Sequence, residues 1–100
     1  MNKQLWYFSA DWCGPCKTFG PTMDRLEASG NVGKINRINI DHDAHALTRF
    51  GIKSVPTVIL VENEQEVKRF VGAKTEQQVM EFFSLSMVMV YLLRYILKVV

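Results

Sequence analysis

Two thiols separated by two residues, Cys13-Gly14-Pro15-Cys16, stand where a short apolar run gives way to helical spacing. Such a pair can close a small disulfide without moving the rest of the chain, so the dithiol and disulfide forms can interconvert. The thiolate is the nucleophile in that exchange, and the unpaired N–H groups of a helix N-terminus favour thiolate over thiol. Cys13, at the helix mouth, is therefore the candidate nucleophile. Cys16, one turn deeper and expected to be the less exposed of the two, is the candidate resolving thiol. Gly14 lets another backbone approach closely, and Pro15 stiffens the loop. Metal ligation is the competing use of two neighbouring thiols.

The elements around the pair follow from hydrophobic spacing. Leu5 to Ala10 is an apolar, aromatic run of the length of a buried strand, ended by Asp11. From Cys13 to about Ser29 the spacing of Phe19, Met23 and Leu26 is helical. Pro15 falls in the first turn, where a missing N–H costs little, and Pro21 falls inside the helix. Gly30-Asn31-Val32-Gly33 ends that helix. Lys34 to Ile40 reads as a second strand, and Asp41 or Asp43 can cap a short helix from Ala44 to about Phe50, stopped by Gly51. Thr57 to Val61 reads as a third, fully buried strand. It turns through Glu62-Asn63-Glu64-Gln65 into an antiparallel strand from Glu66 to Val71. Thr75 with Gln78 forms a capping box at the start of a last helix.

A strand-helix-strand crossover requires parallel pairing with a right-handed connection, and the hairpin adds an antiparallel edge. The expected fold class is therefore α/β, a central mixed sheet with helices on both faces. At 100 residues the chain is one domain. Hydrophobic residues make up 48% and charged residues 22%, which is a globular composition. Positive and negative residues alternate to a net charge of +2, and no basic block marks a nucleic-acid partner. Two cysteines alone do not make a secreted disulfide scaffold. The apolar stretch near the N-terminus is too short for a signal-peptide core, so a cytoplasmic setting is expected.

Taken together, Trp12-Cys13-Gly14-Pro15-Cys16-Lys17, Pro21, Asn39-Ile40-Asp41, Val55-Pro56-Thr57 and Val71-Gly72-Ala73 resemble the thioredoxin family, in order and at matching spacings over roughly Leu5 to Phe83. The resemblance implies the thioredoxin fold and a general protein-disulfide reductase activity on disulfide-containing client proteins. It implies no bound cofactor: electrons come from NADPH through a thioredoxin reductase. It further implies that Val55 precedes a cis proline, Pro56, that lies against the cysteines, and that the Val55 backbone meets an extended substrate. Trp12 is expected to cover one side of the site, and Gly72 with Ala73 to form part of the substrate groove rim. A Gly-Pro pair between the cysteines resembles the reducing members more than the isomerases.

Three features depart from that family. The strand and helix that usually precede the segment beginning at Leu5 are missing, which leaves an open edge on the Lys34–Ile40 strand. Tyr7 stands where the family usually buries an Asp beneath the cysteines, and Arg37 stands where it often has a Lys. The buried acid-base relay is then absent or rebuilt, and slower resolution is expected. Finally, residues 84–100 form an apolar extension beyond the 1–83 domain, interrupted by Arg94 and Lys98. The uncharged stretch Phe82 to Leu93, about 12 residues, spans some 18 Å as a helix, short of the roughly 30 Å membrane core. The extension is expected to fold back on the domain, to form a homodimer interface, or to lie at a membrane.

Asp41-His42-Asp43-Ala44-His45 has metal-ligand residue types, yet its spacing relative to Cys13 and Cys16 is outside the zinc-finger pattern. It reads as a loop and helix cap, with no metal. Two rival functions remain at this level: a non-catalytic binding subunit of a larger complex, and a membrane-associated disulfide oxidant or isomerase.

Overall fold

In the computed structural model, residues 2–85 are described together with Tyr95 and Ile96. The elements run β1 (Lys3–Ser9), α1 (Gly14–Ser29), β2 (Asn36–Asn39), α2 (Ala44–Phe50), β3 (Thr57–Glu62), β4 (Gln65–Val71) and α3 (Glu76–Ser84). All seven expected elements form, with ends shifted by a residue or two. The larger part of the apolar extension, residues 86–94 and 97–100, lies outside the described residues, and with it the expected fold-back, dimer and membrane contacts. Among the described residues no helix is long and apolar enough to cross a membrane.

The sheet order is β2-β1-β3-β4. β1 pairs parallel with β2, with Tyr7 opposite Arg37, as the crossover through α1 demands. β1 also pairs with β3, and this pairing is antiparallel, with Tyr7 opposite Val58. Hydrophobic spacing carried no information about that second pairing. β3 and β4 form the hairpin. Its two-residue loop, Asn63-Glu64, has positive φ at both positions (52° and 67°), the twist that joins right-twisted strands without splaying them.

Side chains along β1 and β3 alternate between two apolar layers, as strand geometry requires. Leu5, Tyr7, Val58 and Leu60 face α1 and α3, packing on Phe19, Met23, Leu26 and Val79. Phe8, Ile59 and Val61 face α2, packing on Ala46 and Phe50. The sheet is therefore covered on both faces. α2 is capped by Asp43, whose carboxylate accepts the Ala46 N–H at 3.0 Å. α3 opens with the expected box: Gln78 N–H donates to Thr75 Oγ1, and Thr75 N–H donates to the Gln78 side chain.

Candidate active site

The end of β1 and the start of α1 deliver the two cysteines. Ala10 ends the strand, and its carbonyl accepts the Cys13 N–H at 3.2 Å, closing the turn that aims the chain into the helix. Cys13 is the N-cap, with extended backbone (φ −84°, ψ 113°), and Gly14 and Pro15 are the first two helical residues. The Cys13 side chain occupies the place that Ser or Asp takes in an ordinary cap, so its sulfur accepts the Cys16 N–H at 3.2 Å. Cys13 and Cys16 are joined as a disulfide, with Cα atoms 5.3 Å apart. A hydrogen bond that favours negative charge on Cys13 is thus built into the backbone.

The expected contrast in exposure is not found. Cys13 is 4% exposed and Cys16 7%, and both pack with Ala10 against Ile40 and Val55. In the disulfide form the Cys13 sulfur is turned inward to its partner and lies 3.6 Å from the Val55 carbonyl oxygen. What separates the two thiols is position in the helix: the donated N–H reaches Cys13.

Val55-Pro56 is a cis peptide, as the resemblance implied. Pro56 is buried, and its carbonyl accepts the Gly72 N–H at 2.9 Å. Gly72 has φ 94°, a conformation that glycine adopts without strain. The fold thus assembles Cys13, Cys16, Val55, Pro56 and Gly72 from three separate stretches. Gly14 and Pro15 are exposed beside them. Trp12 is 66% exposed, and its indole N–H donates to Asp41 Oδ2 at 3.0 Å.

Asp41 reads in the sequence as a helix cap or loop residue and as part of the Asn39-Ile40-Asp41 motif, not as the anchor of Trp12. The available signal was that an indole N–H at a site rim generally takes a partner. Asn39 completes the arrangement: its amide N–H donates to Asp11 Oδ1 at 3.1 Å, and its carbonyl oxygen accepts the Asp41 N–H at 2.9 Å. His42 and His45 are exposed. Among the described residues no three His, Cys, Asp or Glu side chains are placed to hold a metal ion.

Beneath the cysteines lies Tyr7, buried and edge-on to Phe19, with ring centroids 5.5 Å apart. Its hydroxyl donates to the Cys16 carbonyl at 3.4 Å. Burial pushes its phenol up from the ordinary tyrosine value, against a smaller opposing pull from Arg37. Arg37 pairs with Asp24 at 2.7 Å and Glu27 at 3.5 Å. The position therefore holds a core aromatic tied to α1, with an ion-pair cluster at its rim.

Comparison with known proteins gives one answer. The thioredoxin family model matches residues 2–84. The chain is 40% identical over 79 residues to a thioredoxin of Haemophilus influenzae, covering 77% of this chain and 73% of that one. It is 36% identical over 77 residues to a thioredoxin of Chlamydia caviae, covering 77% and 76%. The crystal structure of a Fasciola hepatica thioredoxin superposes with a TM-score of 0.75 at 26% identity, covering 82% of this chain and 78% of the other. With that match, the mixed sheet and the bonded cysteine pair at a helix mouth, the chain belongs to the thioredoxin family and is a protein-disulfide oxidoreductase of that type.

Proposed function

We propose that the chain works as a reductant of disulfides in client proteins. The observation that carries this reading is the Cys16 N–H held 3.2 Å from the Cys13 sulfur at the open end of α1. That hydrogen bond favours the Cys13 thiolate once the disulfide is reduced. The Cys13 thiolate attacks one sulfur of the client disulfide, forms a mixed disulfide and expels a client thiolate. Cys16 then loses its proton and attacks the Cys13 sulfur. The Cys13–Cys16 bond forms, the mixed disulfide breaks, and the second client thiolate leaves and takes up a proton. The client gains two electrons and the chain loses two.

Trp12, Gly14, Pro15, Val55, Pro56 and Gly72 shape the client groove in this reading. The free edge of the Val55 backbone gives an extended client segment main-chain hydrogen bonds with little sequence preference. No resident cofactor takes part. NADPH, through a thioredoxin reductase, returns the pair to the dithiol. Two cysteines in a chain of 100 residues favour a reducing compartment, and we place the protein in the cytoplasm.

Insulin reduction with NADPH and a thioredoxin reductase tests the proposal. The full chain is expected to precipitate insulin chains, Cys13→Ser to fall to background, and Cys16→Ser to accumulate a client mixed disulfide. Full activity in Cys13→Ser would refute the proposal and favour a binding role. A reduction potential as oxidising as that of the isomerases would refute the direction of electron flow.

A further inference from the structure

Resolution of the mixed disulfide needs a Cys16 thiolate, and the surroundings of Cys16 do not supply one. The residue is 7% exposed, packed with Ala10 and Cys13 against Ile40 and Val55, and apolar burial favours the protonated thiol. The titratable and charged groups around it can be taken element by element. β1 contributes Tyr7, which donates to the Cys16 carbonyl and whose phenol is pushed up by burial, so it is no base near neutral pH. α1 contributes Lys17, with Asp24 and Glu27 further along, both engaged by Arg37 of β2. β3 and the Val55-Pro56 turn bring no ionisable side chain to the site. Lys74, ahead of α3, sits over the Phe70 ring.

A route to solvent opens beside Tyr7 and Arg37. A side cleft of about 320 Å³ is lined by Tyr7, Ser9, Asp11, Cys16, Lys17 and Arg37. At about 30 Å³ per molecule it has room for several waters. Among the described residues Asp11 is its only carboxylate. That side chain is exposed, and Asn39 holds it through Oδ1 alone among the described residues.

We propose that the Cys16 proton leaves through this cleft, over water, to Asp11, and that Tyr7 is a positioning residue that ties the first turn of α1 rather than the base. The inference rests on the reductase reading. In the resolving step the S–H bond of Cys16 breaks and its proton passes to the Asp11 carboxylate, while its electron pair forms the bond to the Cys13 sulfur as the Cys13–client S–S bond breaks and the client sulfur leaves as a thiolate. Lys17 and Arg37 on the cleft wall favour the charge left on sulfur.

Ellman's reagent, an aromatic disulfide, separates the two steps on the reduced full chain by stopped flow. The first thionitrobenzoate release reports attack by Cys13, and the second reports resolution by Cys16. Asp11→Asn is expected to slow the second release relative to the first by about three- to tenfold. That is less than the hundredfold or more of a base in direct contact, because water intervenes. Asp11→Glu is expected to restore most of the loss. Tyr7→Phe is expected to keep the wild-type pH dependence of the second release. An unchanged rate ratio in Asp11→Asn, or a pH dependence that vanishes in Tyr7→Phe, would overturn the proposal. Loss of the first release in the wild-type chain would instead refute the reductase reading on which it rests.

Discussion

The two flanks of the cysteine pair are built on different principles. The upper flank, formed by Trp12, Val55, Pro56 and Gly72, is made of backbone groups and an exposed indole. Its contacts are a carbonyl 3.6 Å from the Cys13 sulfur, a carbonyl taken by the Gly72 N–H, and an indole pinned by Asp41. The lower flank, formed by Tyr7, Phe19 and Arg37, is aromatic packing rimmed by ion pairs. In the proposed reading the upper flank is the one that meets a second chain. The lower flank spends its polar groups on the protein itself: the Tyr7 hydroxyl on the Cys16 carbonyl, the Arg37 guanidinium on Asp24 and Glu27. On the proposed reading, recognition belongs above the disulfide and stability below it.

The largest expected effect that sharpens this contrast is on the lower flank. Phe19 is 1% exposed and packs edge-on to both Tyr7 and Phe70. Phe19→Ala is expected to cost about 3–5 kcal/mol, from lost burial and the cavity left behind. Urea unfolding measures it. A loss below about 1 kcal/mol would mean that the floor under the cysteines is not what holds α1 to the sheet.

A smaller effect is expected above. Asp41→Ala releases the Trp12 indole, whose exposed hydrogen bond is worth about 1 kcal/mol. The KM for a protein client is expected to rise by up to about fivefold, since 1.4 kcal/mol is a factor of ten. The stability loss should not exceed that same value of about 1 kcal/mol. A large stability change with unaltered KM would reverse the division of labour between the flanks.

The smallest effect is on the rim of the lower flank. The Ile35 N–H, donated to Glu27 at 2.7 Å, holds that carboxyl below the usual carboxylate range, opposed by slight burial and assisted by Arg37. A carboxylate whose folded value is depressed contributes stability that is complete above its unfolded value. That contribution is lost as the pH falls through the folded value. Between neutral and acid pH the wild-type chain should therefore lose slightly more stability than Glu27→Gln. Identical acid dependence of the two unfolding curves would remove Glu27 from the account.

Much of this arrangement was legible in the residues. Apolar spacing and runs located β1, α1, β2 and β3, whereas caps and turn residues located α2, β4 and α3. Asp43, Gly51 and the Thr75–Gln78 box marked helix ends by chemistry that acts within a few residues. The Cys13-Gly14-Pro15-Cys16 and Val55-Pro56 motifs marked stretches that the fold brings to one site, although 42 positions separate Cys13 from Val55. What escaped the reading depends on tertiary geometry. β3 carries the unbroken apolar run Val58 to Val61, so its period favoured neither direction of pairing with β1. The near-equal burial of Cys13 and Cys16 follows from the bond between them and from the approach of Val55. The Trp12–Asp41 contact joins residues 29 apart and leaves no local signature. Tyr7 was visible as a departure from the family, but its bond to the Cys16 carbonyl was not.

The central claim is that backbone N–H groups at the head of α1 make Cys13 the reactive thiolate. The most direct test is the rate of alkylation of each cysteine in the reduced full chain, followed against pH by mass spectrometry with iodoacetamide. Cys13 is expected to label faster than Cys16, with a rate that levels off at a pH below that of an ordinary thiol. Equal labelling of the two positions, or a Cys13 rate that keeps rising through the ordinary thiol range, would contradict it.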